Sequence, residues 1–594
     1  MCGIIGEIRW DGRPIDINNI LKGQDNLSRR GPDGGGIVQF DGMVFGHRRL
    51  KIFDLSEKSQ QPMIDSSLGL GIVFNGAIYN YKELRLELEA KGYHFFSEGD
   101  TEVLLKAYHA WGPQMLQKLN GMFSLAIWER DSKKLMLARD RFGIKPLFYS
   151  QNSQFLRFSS TPQSLLGSDI NTDLNPIALQ YYLMFHAIPE PITLFQGIKK
   201  LEPGSAMIFY PNGKSENFSY WKLNFSSEKY IDSNERSEEY WIEELKSTLI
   251  KSIKRRLLAD VPTGILLSGG LDSSLLVALI ANFTSSKLKT FSIGFESTLQ
   301  ETGNEFTYSD AVAQKFQTDH NKISINNPNM LDSLQDCIRA MSEPMPSHDN
   351  IGFYLLSKEV VKHVKVALSG QGADELFAGY SWFQNLPIGN ISPQLASSKL
   401  MNLVADRTYN EYLEVLTPKY QAKNFSNSLI EEMCLANNSS NMLDYLQQYE
   451  STFPLTNGPL ARVDNMTMAW GLEARVPFLD HEVAELACKI PIELKIRDGG
   501  KYILKKMARG LLPDNIIDRQ KGYFPVPALK YFSKKELDWM KDILSTEKII
   551  QRGIFNPIYI EKLFNNSNEQ YSPNGGSKLW QIFILEYWLQ LSGL

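Results

Sequence analysis

Two folded units, the second built on an open α/β sheet, are what this chain predicts. At 594 residues it exceeds what one hydrophobic core usually serves. Its first 150 residues are dense in short apolar runs broken by Gly, Asp and Asn. Beyond a polar stretch at 226–237, strand-like and helical segments alternate, and strand-like runs end in Ser-Gly, the pattern of a sheet with sites at its strand ends.

In chain order, the runs 69–76 and 122–128 read as buried strands that end at Gly-containing loops. The segment 81–91 (YKELRLELEAK) has apolar positions at helical spacing with charges between them, so it reads as an amphipathic helix. Residues 206–213 read as a further strand and its turn. The polar stretch places a first domain at 1–217, a linker at 218–236 and a second domain at 237–594. In that second domain a long helix is expected at 241–258, a short strand at 265–267, an apolar helix at 275–281, and strands at 289–295 and 364–368. After Arg462 the pattern is mostly helical, and the polar patch 437–441 reads as a loop.

Hydrophobic residues make up 43% and charged residues 22%, which permits a packed core. A formal net charge of -4 leaves no basic footprint for nucleic acid. The cysteines Cys2, Cys337, Cys434 and Cys488 are too scattered for a disulfide framework or a CxxC zinc pair, and they fit a reducing compartment. The N-terminus has no basic segment followed by an apolar one, and no apolar run reaches the ~18 residues of a membrane helix. A cytoplasmic protein acting on small molecules, without membrane or nucleic-acid partners, is expected; a homodimer is a further expectation.

Chemistry enters at Cys2. A small second residue lets Met1 be removed, which would leave a thiol nucleophile beside a free α-amine of pKa ~7.7–8.0, suited to act as its base. A chance small residue at that position is the bland alternative. Asn75-Gly76 ends an apolar strand, where a side-chain amide and a backbone N–H can both face a developing oxyanion. An amino-acid substrate needs a cation for its carboxylate and an anion for its ammonium, and Arg49 and Asp100 offer one of each. Asp100 serves equally as an N-cap of the helix that continues through Val103 and Leu104.

The strings MCGIIGEI, RRGPDGGG, HRRLKIFDLS, FNGAIYNY, EGDTEVLL and RDRFGIKPLFY resemble, in that order, the class II glutamine amidotransferase domain. That resemblance implies an N-terminal-nucleophile (Ntn) αββα sandwich. It also implies Cys2 as nucleophile, Asn75 and Gly76 as oxyanion hole, and Arg49, Asn75 and Asp100 as glutamine ligands. Asparagine synthetases usually have Glu after the Asn-Gly pair; here it is Ala77.

The string SGGLDSS at 268–274 lies between a strand and a helix. Its glycines let backbone approach phosphate, the helix start offers N–H groups, the serines add donors, and Asp272 can hold Mg²⁺. A Gly/Ser turn capped by Asp is the bland alternative, and the string is not a Walker A loop. It is similar to the loop of enzymes that cleave ATP to AMP and pyrophosphate. Together with SGQGADELFAGY at 369–380, it implies ATP and Mg²⁺, with an ATP-pyrophosphatase-type α/β domain bearing helical additions. By resemblance to the asparagine synthetases, Leu267, Ser268, Gly269, Gly270, Asp272, Ser273, Ile293, Ser369 and Gly370 meet the nucleotide. Asp374 joins Asp272 on the metal, and Lys501 stabilises the transferring phosphate. The string WGLEARVPFLD reads as packing around that site, with Glu473 and Arg475 in supporting roles.

The acceptor is less direct. Many asparagine synthetases carry Glu where this chain has Gln371, and a neutral amide cannot act as a base. The strings SEPMPSHDNIGFYLLS, SIGFE, GNEFTYSD and LSGQGADELFAGY are similar to a narrower group, the N-acetylglutaminylglutamine amide synthetases, which make an osmoprotectant. Gln371 and His348 are the acceptor-site candidates, His348 equally readable as a structural residue. The alternatives are amidation of aspartate to asparagine and, from another class, an inactive regulatory homologue resting on Ala77 and Gln371.

Overall fold

The computed structural model describes residues 2–593 except 41, 168, 227–235, 285, 298–301, 385, 387–388, 438, 521, 523–525, 527–528, 530–531, 533, 546, 566–570 and 572–575. Most of the polar stretch taken as the linker lies outside the described residues.

The N-terminal strands are β1 (Gly3–Arg9), β2 (Gly34–Phe40), β3 (Met43–Arg49), β4 (Met63–Asp65), β5 (Leu70–Ile78), β6 (Gly121–Glu129), β7 (Lys134–Arg139), β8 (Phe148–Gln151), β9 (Phe155–Ser159), β10 (Lys199–Lys200), β11 (Ser205–Phe209) and β12 (Ser215–Ser219). They form two six-stranded sheets, ordered β10-β8-β9-β1-β3-β2 and β12-β11-β7-β6-β5-β4, with antiparallel pairing throughout. Side chains alternate across each strand. Ile4, Ile8 and Phe45 of one sheet therefore meet Val73, Trp128 and Leu137 of the other, while Ile5 and Val44 face outward to the helix Ile17–Asn26 through Ile20. Helices Tyr81–Glu89 and Asp100–Trp111 cover the second sheet, packing Leu84, Leu88, Val103 and Leu104 against Ile72 and Phe74. The result is the αββα sandwich that the resemblance implies.

The second unit opens with helix Glu238–Arg256 and holds five parallel strands: β13 (Thr263–Leu266), β14 (Lys289–Phe295), β15 (Asp319–Ile325), β16 (Val366–Leu368) and β17 (Glu473–Arg475). Their order is β15-β14-β13-β16-β17. The chain leaves β13 toward one edge and returns for the other, so β13 and β16 flank a topological switch point, where ligands of such sheets bind. Among the described residues the region after Arg462 is mostly helical, as expected, with β17 a strand. Three residues carry no legible period, and this strand exists because it pairs with β16.

The two units share a polar, buried seam. Asp464 takes Arg30 at 2.8 Å and Lys145 at 3.0 Å from the sandwich, and Asp480 accepts from Asn120 and from Arg256 at 2.7 Å. Helix Pro176–Phe185 also leans on the second unit: Tyr182 donates to the Gln581 carbonyl, and Arg407 donates to that of Leu183.

Candidate active sites

One site lies at an end of the sandwich. β1 begins opposite Arg48, since Gly3 pairs with it, which sets Cys2 beside the end of β3. The Cys2 backbone N donates to Asn75 Oδ1 at 3.0 Å, joining the two sheets at this point. Asn75 is fully buried, with its Nδ2 3.5 Å from Ser124 Oγ on β6. At Gly76 a Cβ would collide with the Met122 carbonyl and the Phe123 backbone, so only glycine fits where β5 presses on β6. Arg49 is buried and donates to the carbonyls of Ser56 at 2.8 Å and Asp54 at 2.5 Å.

Asp100 is the first residue of its helix, but Gly99 is the cap and the Asp100 carboxylate instead accepts from the Ile78 N–H at 3.0 Å. It therefore faces β5, leaving the simple N-cap alternative without support. Burial, reinforced by the nearby Glu473 carboxylate, raises its pKa to about 7 against the Ile78 hydrogen bond. Burial also raises the Cys2 thiol, with the Leu50 N–H and the Arg49 charge pulling the other way. Ala77 is buried among apolar residues and brings no polar group to the site.

Cys2, Arg49, Asn75, Gly76 and Asp100 thus converge from four elements. A thiol, a pair of oxyanion donors, a cation and a carboxylate are what acyl transfer from an amino-acid amide requires.

The second site occupies the switch point. β13 runs into the loop 267–270 and helix Leu271–Ala281. Ser268 Oγ accepts from the Gly270 N–H and lies 3.1 Å from Ser273 Oγ, tightening the turn. Gly269 has φ +79°, and a Cβ there would strike Tyr308 and Ser309. A cavity of about 580 Å³ opens above, lined by Leu267, Ser268, Gly270, Asp272 and Ser273, by Ile293 on β14, and by Ser369, Gly370 and Gln371 after β16. An α-helix N-terminus with its N–H groups aimed into a Gly/Ser loop is a ready phosphate site.

Lys501 closes one wall. It lies at φ +54°, just before helix Tyr502–Ala508, and its Nζ is 2.6 Å from both Asp272 Oδ2 and Asp374 Oδ1. It is 8% exposed, not a surface helix lysine. Burial would lower its pKa, but the two carboxylates hold it well above the ordinary value. Gly379 makes room, since a Cβ there would overlap Asp374 and the Lys501 stem. The convergence of Asp272 and Asp374 fits Mg²⁺, which takes one or two protein carboxylates and completes its shell with phosphate and water. Among the described residues no cluster of three or more His, Cys, Asp or Glu forms an all-protein metal site.

His348 does not border this cavity; its ring packs on Trp580 at 5.4 Å, although the neighbouring Asp349 and Phe353 do line it. Lining residues that motif reading passed over include Arg462, Tyr380, Trp382, Glu375, Glu450 and Arg519. Tyr380 and Glu375 belong to SGQGADELFAGY, but nothing in its spacing marks them. The others come from separate helices and loops.

Glu473 and Arg475 on β17 lie between the sites. Arg475 Nε bonds Glu473 Oε1 at 2.6 Å, both residues fully buried, and its guanidinium stacks on Tyr79 and Phe53 of the sandwich. Its carbonyl accepts from the Ser369 N–H.

The N-terminal unit matches the glutamine amidotransferase domain model over residues 1–221, and the rest matches the asparagine synthase model over 244–590. Together these define a glutamine-hydrolysing amidotransferase, a ligase that forms C–N bonds. The chain is 33% identical to asparagine synthetase (glutamine-hydrolyzing) 1 of Bacillus subtilis, over 99% of this chain and 96% of the relative. It is 30% identical to asparagine synthetase (glutamine-hydrolyzing) 3 of the same organism, over 96% and 94%. Amidase chyE of Penicillium rubens is more distant, at 25% over 89% of each. This chain belongs to the glutamine-hydrolysing asparagine synthetase family. Among the described residues no helix is long and apolar enough to cross a membrane.

Proposed function

We propose that the protein amidates N-acetylglutaminylglutamine, using ammonia freed from glutamine and ATP cleaved to AMP and pyrophosphate. Cys2, with Met1 removed, attacks the glutamine amide while its α-amine takes the thiol proton. Asn75 and the Gly76 N–H hold the oxyanion, Arg49 meets the substrate carboxylate, and Asp100 meets its ammonium. At the second site the acceptor carboxylate attacks the α-phosphorus of ATP, pyrophosphate leaves, and ammonia then displaces AMP from the acyl-adenylate. Lys501 neutralises charge developing on the transferring phosphate. Asp272 and Asp374 would hold Mg²⁺, which supplies charge neutralisation on the polyphosphate.

The observation that supports the acceptor is Gln371 on the cavity wall, where a neutral amide suits an amide-rich dipeptide that lacks an ammonium group better than aspartate. The competing reading, aspartate to asparagine, has in its favour the names of the relatives. Assays with each acceptor, ATP and glutamine decide between them: dipeptide amide with stoichiometric AMP and pyrophosphate is expected. Robust asparagine formation without dipeptide amidation rejects the proposal. A cytoplasmic setting suits its four buried cysteines, none of them in a disulfide, and a homodimer belongs to the same proposal, with mass in solution as its test.

A further inference from the structure

If the acceptor is adenylated in this cavity, the reading on which this inference rests, its reacting carboxylate must reach the α-phosphorus beside the loop 268–270, Lys501 and Gln371. The rest of the acceptor then lies against the wall next to that point. The elements that follow β16 build this wall. Gly379 sits against Asp374 and the Lys501 stem. The next residue, Tyr380, donates to Glu375 at 2.6 Å, and Trp382 stacks on Tyr380 with centroids 4.5 Å apart and planes at 14°. Helix Met442–Leu455 is tied to the short helix Ala373–Leu376, because Gln447 Nε2 donates to the carbonyls of Glu375 at 3.2 Å and Leu376 at 2.8 Å. It brings Tyr449 and Leu455 to the cavity. Helix Pro393–Val404 adds Leu403 and Val404 from its last turn. Phe185, at the end of helix Pro176–Phe185, comes from the N-terminal unit and lies 6.4 Å from Tyr449.

The outcome is an aromatic and aliphatic chamber continuous with the phosphate site. Trp382 spends its Nε1–H on Glu450 at 2.9 Å and Tyr380 its hydroxyl on Glu375, so what the two rings add to the cavity is aromatic surface. Such surface packs well on methyl groups and on the flat faces of amides, and it does not repay the desolvation of a free carboxylate. Aspartate is short and keeps a second carboxylate close to the reacting one. An uncharged, acyl-capped extension suits the chamber in length and in chemistry. The same residues also rim the core built on Leu446 and Phe453. A rim that only supports the fold matters equally for every acceptor, whereas a binding chamber matters only for those long enough to enter it.

We propose that this chamber holds the uncharged, acyl-capped end of the acceptor, with Trp382 as its principal contact, and so selects acceptors by length.

The test pairs a shortened acceptor with an altered chamber. Wild type and variants receive ATP with N-acetylglutaminylglutamine, with N-acetylglutamine, which keeps the reacting end and lacks one residue of the extension, or with aspartate, and ATP–pyrophosphate exchange is followed. A wild type that shows no exchange with the dipeptide removes the acceptor reading, and this inference with it. Where the dipeptide supports exchange, its KM in wild type is expected to lie about 10- to 100-fold below that of N-acetylglutamine. Trp382→Ala is expected to raise the dipeptide KM at least about tenfold, while the KM values of N-acetylglutamine and of ATP stay within about threefold. Leu403→Trp, which fills the chamber from the neighbouring helix and serves if Trp382→Ala does not fold, is expected to raise the dipeptide KM by a similar factor of about ten and spare the shorter acceptor. Equal KM values for the two acceptors in wild type overturn the inference while leaving the acceptor reading in place. So does a dipeptide KM unchanged in the variants, or a rise shared equally by both acceptors.

Discussion

Asp100 ties a measurable pH dependence to one side chain. Its pKa of about 7 means that it sheds its proton as pH rises through neutrality, and only the ionised form attracts an α-ammonium. The KM for glutamine in the hydrolysis assay is therefore expected to fall as pH rises from about 6 to 8. Asp100→Asn is expected to flatten that profile and raise KM roughly 10- to 100-fold, the worth of one charge-assisted hydrogen bond. A profile unchanged in the variant would remove Asp100 from glutamine binding. Cys2→Ala is expected to abolish glutamine hydrolysis while ammonium-driven amidation stays within about twofold, since the proposed chemistry at the switch point uses no atom of Cys2. Loss of both activities would contradict the division of labour.

At the scale of elements, β17 is short but costly to disturb. Its Glu473–Arg475 pair is wholly buried, and the guanidinium also donates to the carbonyls of Arg256 and Leu258. Glu473→Ala leaves that cation without its closest carboxylate, and about 3–5 kcal/mol of stability is expected to be lost, read by urea unfolding. A loss below about 1 kcal/mol would mean that the backbone carbonyls alone satisfy Arg475. β5 makes a steric case of its own. Gly76→Ala forces a methyl into the β5–β6 contact, so a loss of about 1–3 kcal/mol with a disproportionate fall in glutamine hydrolysis is expected, measured by thermal melts beside the hydrolysis assay.

Across the whole molecule, nitrogen freed at one end of the sandwich must reach the switch point of the other unit. The seam between them is polar and closed by Asp464, which holds Arg30 and Lys145 together. A small cavity of about 40 Å³ beside it is bordered by Ile144 and Thr456. Asp464→Asn leaves two buried cations with a weaker partner, so the units should part more readily there. The expected result is fewer than one amide formed per glutamine hydrolysed, with ammonium-driven synthesis retained; product and glutamate measured in one reaction check it. A ratio that stays at one would show that Asp464 has no part in retaining ammonia.

Motif strings expose features whose geometry is local: the Asn75-Gly76 step of β5 and the Gly/Ser turn before helix Leu271–Ala281. Each depends on neighbours within a few residues, so linear spacing exposes it. Apolar runs likewise announce β5 and β6, and alternation announces β14, because their patterns repeat over seven to nine residues. What tertiary structure alone decided lies where no local pattern exists. β17 is a strand because β16 offers it partners. Lys501 is a buried cation because Asp272 and Asp374 arrive from helix starts over a hundred residues away. His348 packs on Trp580 outside the cavity that its neighbours line. Pairing and burial are set by chain segments distant in sequence, and side-chain order along one segment cannot encode who its neighbours will be.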